Sequence, residues 1–329
     1  MISASVSTIG RIGSGDGLGH GLLFALAIAL TAALGACADE PSAPNAGASP
    51  PFVAAHRGDP HLPENTLAAF RSSLAEGADY LETDLVASKD GVLVLHHERR
   101  LAATTDVEDH PEFAARETKK ESYGRRVSDW WVEDFTLAEL SSLHATVRRA
   151  RPSGNYRIAT LEELIEFARA QSRVRGRPVG LYLETKEAKT FERLGLDLED
   201  LLAHTLRAAG IDRPDGILVQ SWGTQSVRQM GAALRVPAIQ LVSAARHWDR
   251  ALTSAGLREL RTAGVDGIDV VDDRLERDSD LIQRAHEAGL IVTGWGFEPD
   301  EDYGRWIKSG LDGLVTDDVS AALAARKAP

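Results

Sequence analysis

Cysteine is nearly missing from this sequence: Cys37 is the only one among 329 residues. That excludes an internal disulfide framework and a structural zinc site built from several thiolates. Positive charge is also in short supply. Against 49 acidic residues stand 37 lysines and arginines, and the net charge of -12 repels nucleic acid and anionic lipid headgroups. Nucleic acid is therefore not expected as a partner, and any phosphate site must be local. Long apolar runs are lacking too, since the run from Gly21 to Ala36 falls short of the roughly 20 residues of a transmembrane helix. No glycine-rich phosphate loop follows any strand-like run, which argues against an open doubly wound nucleotide-binding sheet. What is present is ordinary: 43% hydrophobic and 26% charged residues, enough for a large buried core.

Arg11 precedes the apolar run, which reads as a signal peptide. It closes on Leu34-Gly35-Ala36-Cys37, similar to the bacterial lipobox, whose cysteine is lipidated and becomes the new N-terminus. The competing reading is a plain secretory signal with Cys37 incidental. Residues 38–51 (ADEPSAPNAGASPP) are small and proline-rich, a composition that forms a tether rather than a core. The expected organisation is a signal peptide over 1–36, a lipidated cysteine and flexible tether over 37–51, and a folded domain over 52–329. The expected location is periplasmic or cell-surface, with membrane attachment through an N-terminal lipid anchor at Cys37.

From residue 52 onward, strand-like and helix-like stretches alternate. Short apolar runs occur at Phe52–Ala55, Tyr80–Val86, Val92–His96, Val179–Leu183, Gly216–Gln220, Ala238–Val242, Gly267–Val270, Leu290–Trp295 and Gly313–Val315. Between them, Leu67, Phe70 and Leu74 share one helical face, and Thr160 with Glu163 has capping-box spacing. Gly264, Gly289 and Gly310 each stand where a helix would end before a core strand. This rhythm predicts a TIM (β/α)8 barrel. Residues 104–158 interrupt it, being charged yet holding Trp130, Trp131 and Phe135, and read as an insertion on the barrel rim.

In such a barrel the chemistry lies at the C-terminal ends of the strands. Polar residues there are His56-Arg57-Gly58, Glu64-Asn65-Thr66, Glu82-Thr83-Asp84, His96-His97-Glu98, Glu184-Thr185-Lys186, Gln220 and Trp295. Strand alternation puts Glu82 and Asp84 on one face. Two carboxylates a few ångströms apart raise one another's pKa or take up a cation, and a divalent metal with oxygen ligands meets that need. Glu184 would add a third ligand and Lys186 an ammonium for an anionic substrate. Taken alone, the Glu82-Asp84 dyad reads as a solvated edge and the Glu184-Lys186 dyad as a surface ion pair. Asp317 would either support the last loop or cap the final helix, a role also open to Asp318. His61, His96, His110, His144, His204, His247 and His286 are read as structural or solvent-facing.

The strings HRGDPHLPENTLAAF, LETDLVASKDGVLVLHHERRLAATTDV and LYLETK resemble the glycerophosphodiester phosphodiesterase family, particularly its periplasmic branch. The resemblance implies a TIM barrel that cleaves small-molecule glycerophosphodiesters to glycerol 3-phosphate and an alcohol, using Ca2+ or Mg2+. It implies His56 and His97 as acid and base, with His97 preferred over His96 from the spacing to Leu101 and Thr104-Thr105. It further implies Glu82, Asp84 and Glu184 as metal ligands, Glu64 beside the metal as ligand or supporting partner, and Arg57 and Lys186 as phosphate contacts. Trp295 and Gln220 are candidates for the pocket wall. Two departures stand out: His97-Glu98 where the family has His-Asp, and Trp295-Gly296-Phe297-Glu298 where a tryptophan commonly precedes Thr-Val-Asn. Alternatives are cleavage of intact lipid headgroups in the manner of a phospholipase or sphingomyelinase D, and a non-enzymatic surface lipoprotein.

Overall fold

The computed structural model describes residues 50–148, 154–211, 216–298 and 302–328. The signal segment and Cys37 lie outside the described residues, as does nearly all of the tether. None of the described helices is long and apolar enough to cross a membrane.

The described residues form eleven strands: β1 (Phe52–His56), β2 (Tyr80–Ala87), β3 (Leu93–Leu95), β4 (Thr118–Ser122), β5 (Arg125–Asp129), β6 (Gly180–Thr185), β7 (Ile217–Ser221), β8 (Ala238–Val242), β9 (Gly267–Val271), β10 (Ile291–Trp295) and β11 (Gly313–Thr316). Eight of them pair in parallel in the order β1-β11-β10-β9-β8-β7-β6-β2, and the β1–β2 pairing closes the ring. Helices cover the outside, so the expected (β/α)8 barrel is formed. One expected barrel strand is not part of it. The run Val92–His96 supplies β3, which pairs antiparallel to the end of β2, with Leu85 opposite Leu95 and Ala87 opposite Leu93. The reason is length: β2 has eight residues where most barrel strands have five. It overruns the rim and folds back, which returns His96 and His97 to the mouth.

The barrel interior follows the period of the strand. Ala54, Tyr182, Leu218, Ile239, Ile291 and Val315 form an inner cluster, packed with Phe52, Tyr80 and Trp295. Their chain neighbours Val53, Leu181, Val219, Val292 and Leu314 point outward into the larger core under the helices. The floor alternates large with small. A Cβ on Gly180 would stand 2.3 Å from the Tyr80 ring, and one on Gly313 would stand 2.3 Å from the Phe52 ring. Those glycines make room for two of the rings that plug the barrel.

Local signals behave as the sequence implied. Thr160 and Glu163 form a reciprocal capping box at the helix Leu161–Arg175. Gly264, Gly289 and Gly310 take positive φ, and the next residue's N–H returns to the helix, as in Val265 N–H to the Leu260 carbonyl at 3.1 Å. The described parts of the insertion, residues 104–148 and 154–158, hold 3-10 turns, the β4–β5 hairpin and a short helix, Leu137–Leu140. It is charged outside but carries its own apolar anchors. Trp131 and Phe135 are fully buried. The Trp130 indole N–H donates to the Phe113 carbonyl at 2.7 Å, and that of Trp131 to the Thr118 carbonyl at 2.8 Å.

Inside the barrel β9 carries a fully buried acid, Asp269, with no ion-pair partner among the described residues; the Thr293 hydroxyl donates to its Oδ1 at 2.6 Å. Burial pushes its carboxyl up to about 7; the Thr293 bond pulls back and the Glu184 charge adds a smaller push. The folded state therefore holds this proton more tightly than the unfolded chain does. Its contribution to stability falls as pH rises from about 4 to about 7 and is constant above. Asp269→Asn removes that penalty. The variant is expected to unfold at higher denaturant, by on the order of 4 kcal/mol at pH 8, with little change at pH 4. Equal effects at both pH values would contradict the assignment.

Candidate active site

The same inward parity that builds the floor carries the chemistry. On β1 the series Phe52, Ala54 ends at His56; on β2 Tyr80 leads to Glu82 and Asp84; on β6 Tyr182 leads to Glu184, with Lys186 just beyond the strand. Leu218 leads to Gln220, Ile291 to Thr293 and Trp295, and Val315 to Asp317 just beyond β11. Apolar residues fill the N-terminal half and polar residues the C-terminal mouth, as loop-borne catalysis on this fold requires. Register completes the row, with Asp84 beside Glu184 and Glu184 beside Gln220.

The turn after β1 is tight. Arg57 has φ 56° and Gly58 φ 94°. A Cβ on Gly58 would stand 2.6 Å from the Ala69 Cβ and 2.7 Å from its carbonyl carbon, so glycine is required there. This turn drops the Arg57 guanidinium onto Asp84, with Nε 3.0 Å from Oδ2, while its backbone N–H donates to the Glu82 carbonyl at 3.1 Å. Asn65 also has positive φ, 60°, and is buried. Its amide donates to Asp84 Oδ2 at 2.9 Å, and its carbonyl oxygen accepts from the Thr83 hydroxyl at 2.7 Å. Asn65 thus fixes the rotamer of Asp84.

Glu82, Asp84 and Glu184 each offer a ligand oxygen, all within 4.8 Å of one another, and all three residues are buried. Two cations face them. Lys186 Nζ lies 2.9 Å from Asp84 Oδ1 and 2.5 Å from Glu184 Oε1, and Arg57 holds the other side of Asp84. Three carboxylates against two cations leave one negative charge in excess. Burial pushes the Glu82 carboxyl well above the usual carboxylate range, and the charges of Asp84 and Glu184 push it further. Asp84 goes the other way: burial opposes ionisation, but Lys186, Arg57, His97 and the Asn65 bond outweigh it and hold the carboxyl well below that range. Burial raises Glu184, with Lys186 pulling it down and Asp84 pushing it up. Asp84 Oδ1 and Glu184 Oε1 are buried without a hydrogen bond, because Lys186 approaches outside hydrogen-bond geometry. Hard oxygen donors, close spacing, excess charge and two unsatisfied oxygens together fit a divalent cation, so this cluster could hold one.

The two candidate histidines differ in setting. His56 Nδ1–H donates to Asp317 Oδ1 at 2.8 Å, leaving Nε2 for the mouth. Burial raises the Asp317 carboxyl, but the hydrogen bond and charge of His56, with Arg57, hold it below its ordinary range. The cap of the last helix falls instead to Asp318, whose side chain accepts from Ala321 N–H at 2.8 Å. His97 is mostly buried, and its Nδ1 has no hydrogen bond; Glu98 Oε1 lies 3.8 Å away. Burial lowers the His97 pKa, with Asp84 and Glu98 opposing, so the ring is neutral near pH 7. His96 is structural: its Nδ1–H donates to the Glu98 carbonyl at 2.5 Å, and Nε2 accepts from the Thr104 hydroxyl at 2.9 Å.

Three further candidates take these places. Glu64 is outside the three-carboxylate cluster. Arg148, from the insertion, claims it by donating from Nη2 to Oε1 at 2.7 Å, and Arg57 Nη1 lies 3.7 Å from the same oxygen. Gln220 donates from Nε2 to Glu82 Oε1 at 3.1 Å and so orients a carboxylate from inside the barrel. Trp295 stands at the end of β10 edge-on to Trp222, with ring centroids 5.9 Å apart and planes at 85°; Trp222 is half exposed. Sequence reading gave no role to Asn65, Arg148 or Trp222, and marked Glu98 only as a departure beside His97. Arg148 Nη1 donates to Glu98 Oε1 at 2.8 Å, and Arg100 also binds Glu98, so the glutamate beside His97 is held by two arginines. The nearby His97 ring and these cations outweigh burial and hold the Glu98 carboxyl far below its usual range.

Comparison with known proteins matches this geometry to one group. Residues 56–321 match the model of the glycerophosphoryl diester phosphodiesterase family. A glycerophosphodiester phosphodiesterase of Arabidopsis thaliana is 31% identical over 318 residues, covering 82% of this chain and 84% of the relative. Among solved structures, one from Silicibacter pomeroyi DSS-3, assigned to the glycerophosphoryl diester phosphodiesterases, is similar with a TM-score of 0.69 at 23% identity, covering 86% of this chain and 95% of the other. An Oleispira antarctica phosphodiesterase in complex with its product sn-glycerol-3-phosphate is similar with a TM-score of 0.62 at 22% identity, covering 85% and 98%. The two structural likenesses bear on the fold.

Proposed function

This chain belongs to the glycerophosphoryl diester phosphodiesterase family, and we propose that it hydrolyses glycerophosphodiesters to glycerol 3-phosphate and an alcohol with a divalent metal and two histidines. The observation that carries the reading is the convergence of His56, His97, Arg57, Lys186 and three buried carboxylates at one barrel mouth. The Oleispira antarctica relative, which holds sn-glycerol-3-phosphate as product, supports the substrate class.

A phosphodiester monoanion resists attack, so the site must neutralise its nonbridging oxygens and move two protons. Arg57 and Lys186 bring positive charge to those oxygens. Ca2+ or Mg2+ held by Glu82, Asp84 and Glu184 would supply further charge neutralisation there. His97, kept neutral by burial, accepts the proton of the attacking hydroxyl, either of water or of the substrate's own glycerol, in which case a water then opens the cyclic phosphate to glycerol 3-phosphate. His56, oriented through Nδ1 by Asp317, presents Nε2 to protonate the departing alkoxide. Asn65 and Gln220 hold the carboxylates in place while this happens.

The same proposal extends to location. The apolar run ending at Cys37 and the proline-rich stretch after it support export and anchoring by a lipid on that residue, with the barrel tethered at a membrane surface. Metabolic labelling with a fatty-acid analogue tests this, and a Cys37→Ala chain that still carries label would end it.

Reaction class is tested by offering the purified protein glycerophosphocholine, lysophosphatidylcholine and sphingomyelin in parallel. Release from the first alone is expected. Preferential cleavage of either intact lipid would replace the reading with headgroup cleavage, and no release from any of the three would end it.

A further inference from the structure

The β4–β5 hairpin turns on Tyr123 and Gly124, since Ser122 pairs with Arg125. Both turn residues have positive φ, 49° and 73°. A two-residue loop of that shape favours Asn, Asp or Gly at its first position, because a Cβ crowds the left-handed backbone. Here the position holds a tyrosine that is 56% exposed, so packing does not account for it. Strain accepted at an exposed aromatic points to something the side chain does.

The tip is fixed in place beside the turn that follows β6. The Ser122 hydroxyl donates to Glu187 Oε1 at 2.7 Å. Arg99 Nη1 donates both to the Glu121 carbonyl at 2.9 Å and to Glu187 Oε2 at 3.2 Å. Glu187 directly follows Lys186 and has φ 45°, so the hairpin is pinned to the turn that carries Lys186. Tyr123 is exposed overall, yet its hydroxyl end is desolvated and near enough to Lys186, Glu187, Glu184 and Asp84 to feel their charges. Burial of that end, opposed by Lys186 and reinforced by Glu187, Glu184 and Asp84, pushes the phenol up to about 12. It is a neutral donor across the physiological range.

We propose that Tyr123 is a substrate-contacting residue whose hydroxyl donates a hydrogen bond to a nonbridging oxygen of the phosphodiester bound beside Lys186, and whose ring walls the mouth on the insertion side. The proposal rests on the phosphodiesterase reading above and deepens it. A phenol adds a donor to the phosphoryl group without adding charge to a site already crowded with cations and carboxylates. The rim insertion thereby acquires a role, since it delivers one side chain to the barrel mouth from outside the β/α repeat.

Two variants of the full chain test it. Tyr123→Phe removes only the hydroxyl; Tyr123→Asn installs a residue suited to the turn. Both are expected to lower kcat/KM for glycerophosphocholine and glycerophosphoethanolamine alike by about tenfold, the loss of one hydrogen bond to a charged group. Calorimetric affinity for glycerol 3-phosphate should fall by a similar factor. Tyr123→Asn should melt at the same or a higher temperature while losing activity, a split that a merely structural tyrosine does not produce. Wild-type kcat/KM and product affinity in both variants would overturn the proposal, as would a loss of melting temperature in step with activity. A parent chain that hydrolyses neither diester would end the reaction assignment; its glycerol 3-phosphate affinity relative to Tyr123→Phe would still judge the contact, and no binding by the parent overturns it.

Discussion

Replacing His97 with alanine should lower kcat for glycerophosphocholine by at least about a thousandfold, while the circular dichroism spectrum stays that of the parent. The loss is large because the ring sits at the mouth next to Asp84, and no other imidazole can take its place. His96 is adjacent in sequence, but both its nitrogens are committed to the Glu98 carbonyl and the Thr104 hydroxyl. His56→Ala should lose as much. Asp317→Asn should lose less, about ten- to a hundredfold, since it leaves the imidazole present but weakens its orientation and its charge partner. Turnover near the parent level in either histidine variant would remove the acid–base assignment. The fold should tolerate these changes, because Asp317, left behind in His56→Ala, has a largely exposed side chain.

The second large effect is expected at the carboxylate cluster. In the metal-free protein Glu82 is the carboxylate least favoured as an anion, since burial and two neighbouring carboxylates oppose its charge. Glu82→Gln removes that charge with little change of shape and can keep the Gln220 contact by turning its amide oxygen toward Gln220. Metal-free stability should therefore hold or rise. Catalysis should fall about a thousandfold or more, because the cation has lost a ligand charge and the phosphoryl group its neutralisation. The two measurements separate cleanly in a melt. The parent chain should gain melting temperature as Ca2+ or Mg2+ is added, by linkage to the folded state, and Glu82→Gln should gain little. A variant that keeps both its turnover and its response to metal would show that the cluster does not bind the catalytic ion.

How far the sequence alone reached can be traced residue by residue. The barrel was legible because each strand announces itself by an apolar run and each following helix by its caps, as at Thr160 and Gly264. Glu82, Asp84, Glu184 and Lys186 were legible because a period of two puts them on one face, and the strand ends put that face at the mouth. Val92–His96 was misplaced in the barrel because an apolar run has no direction, and only pairing shows that β3 runs against β2. Glu64 was expected beside the metal as ligand or supporting partner from its place in the Pro-Glu-Asn-Thr string; it lies against Arg57, and its neighbour Asn65 is the residue that touches Asp84. One position along a left-handed turn exchanges the side chain that faces the cluster, and φ at Asn65 is not written in composition. Arg148 and Tyr123 were out of reach for another reason. They arrive from an insertion whose charge read as surface, and only its buried tryptophans fold it back over the site.

The most direct test of the central claim is a phosphorus NMR time course on glycerophosphocholine with the purified protein. It would be run first after chelator treatment and then with Ca2+ or Mg2+ restored. The account predicts no change while chelator is present, and on adding metal the loss of the diester signal with growth of glycerol 3-phosphate. Hydrolysis that proceeds at full rate in chelator, or a phosphorus product other than glycerol 3-phosphate, would contradict it.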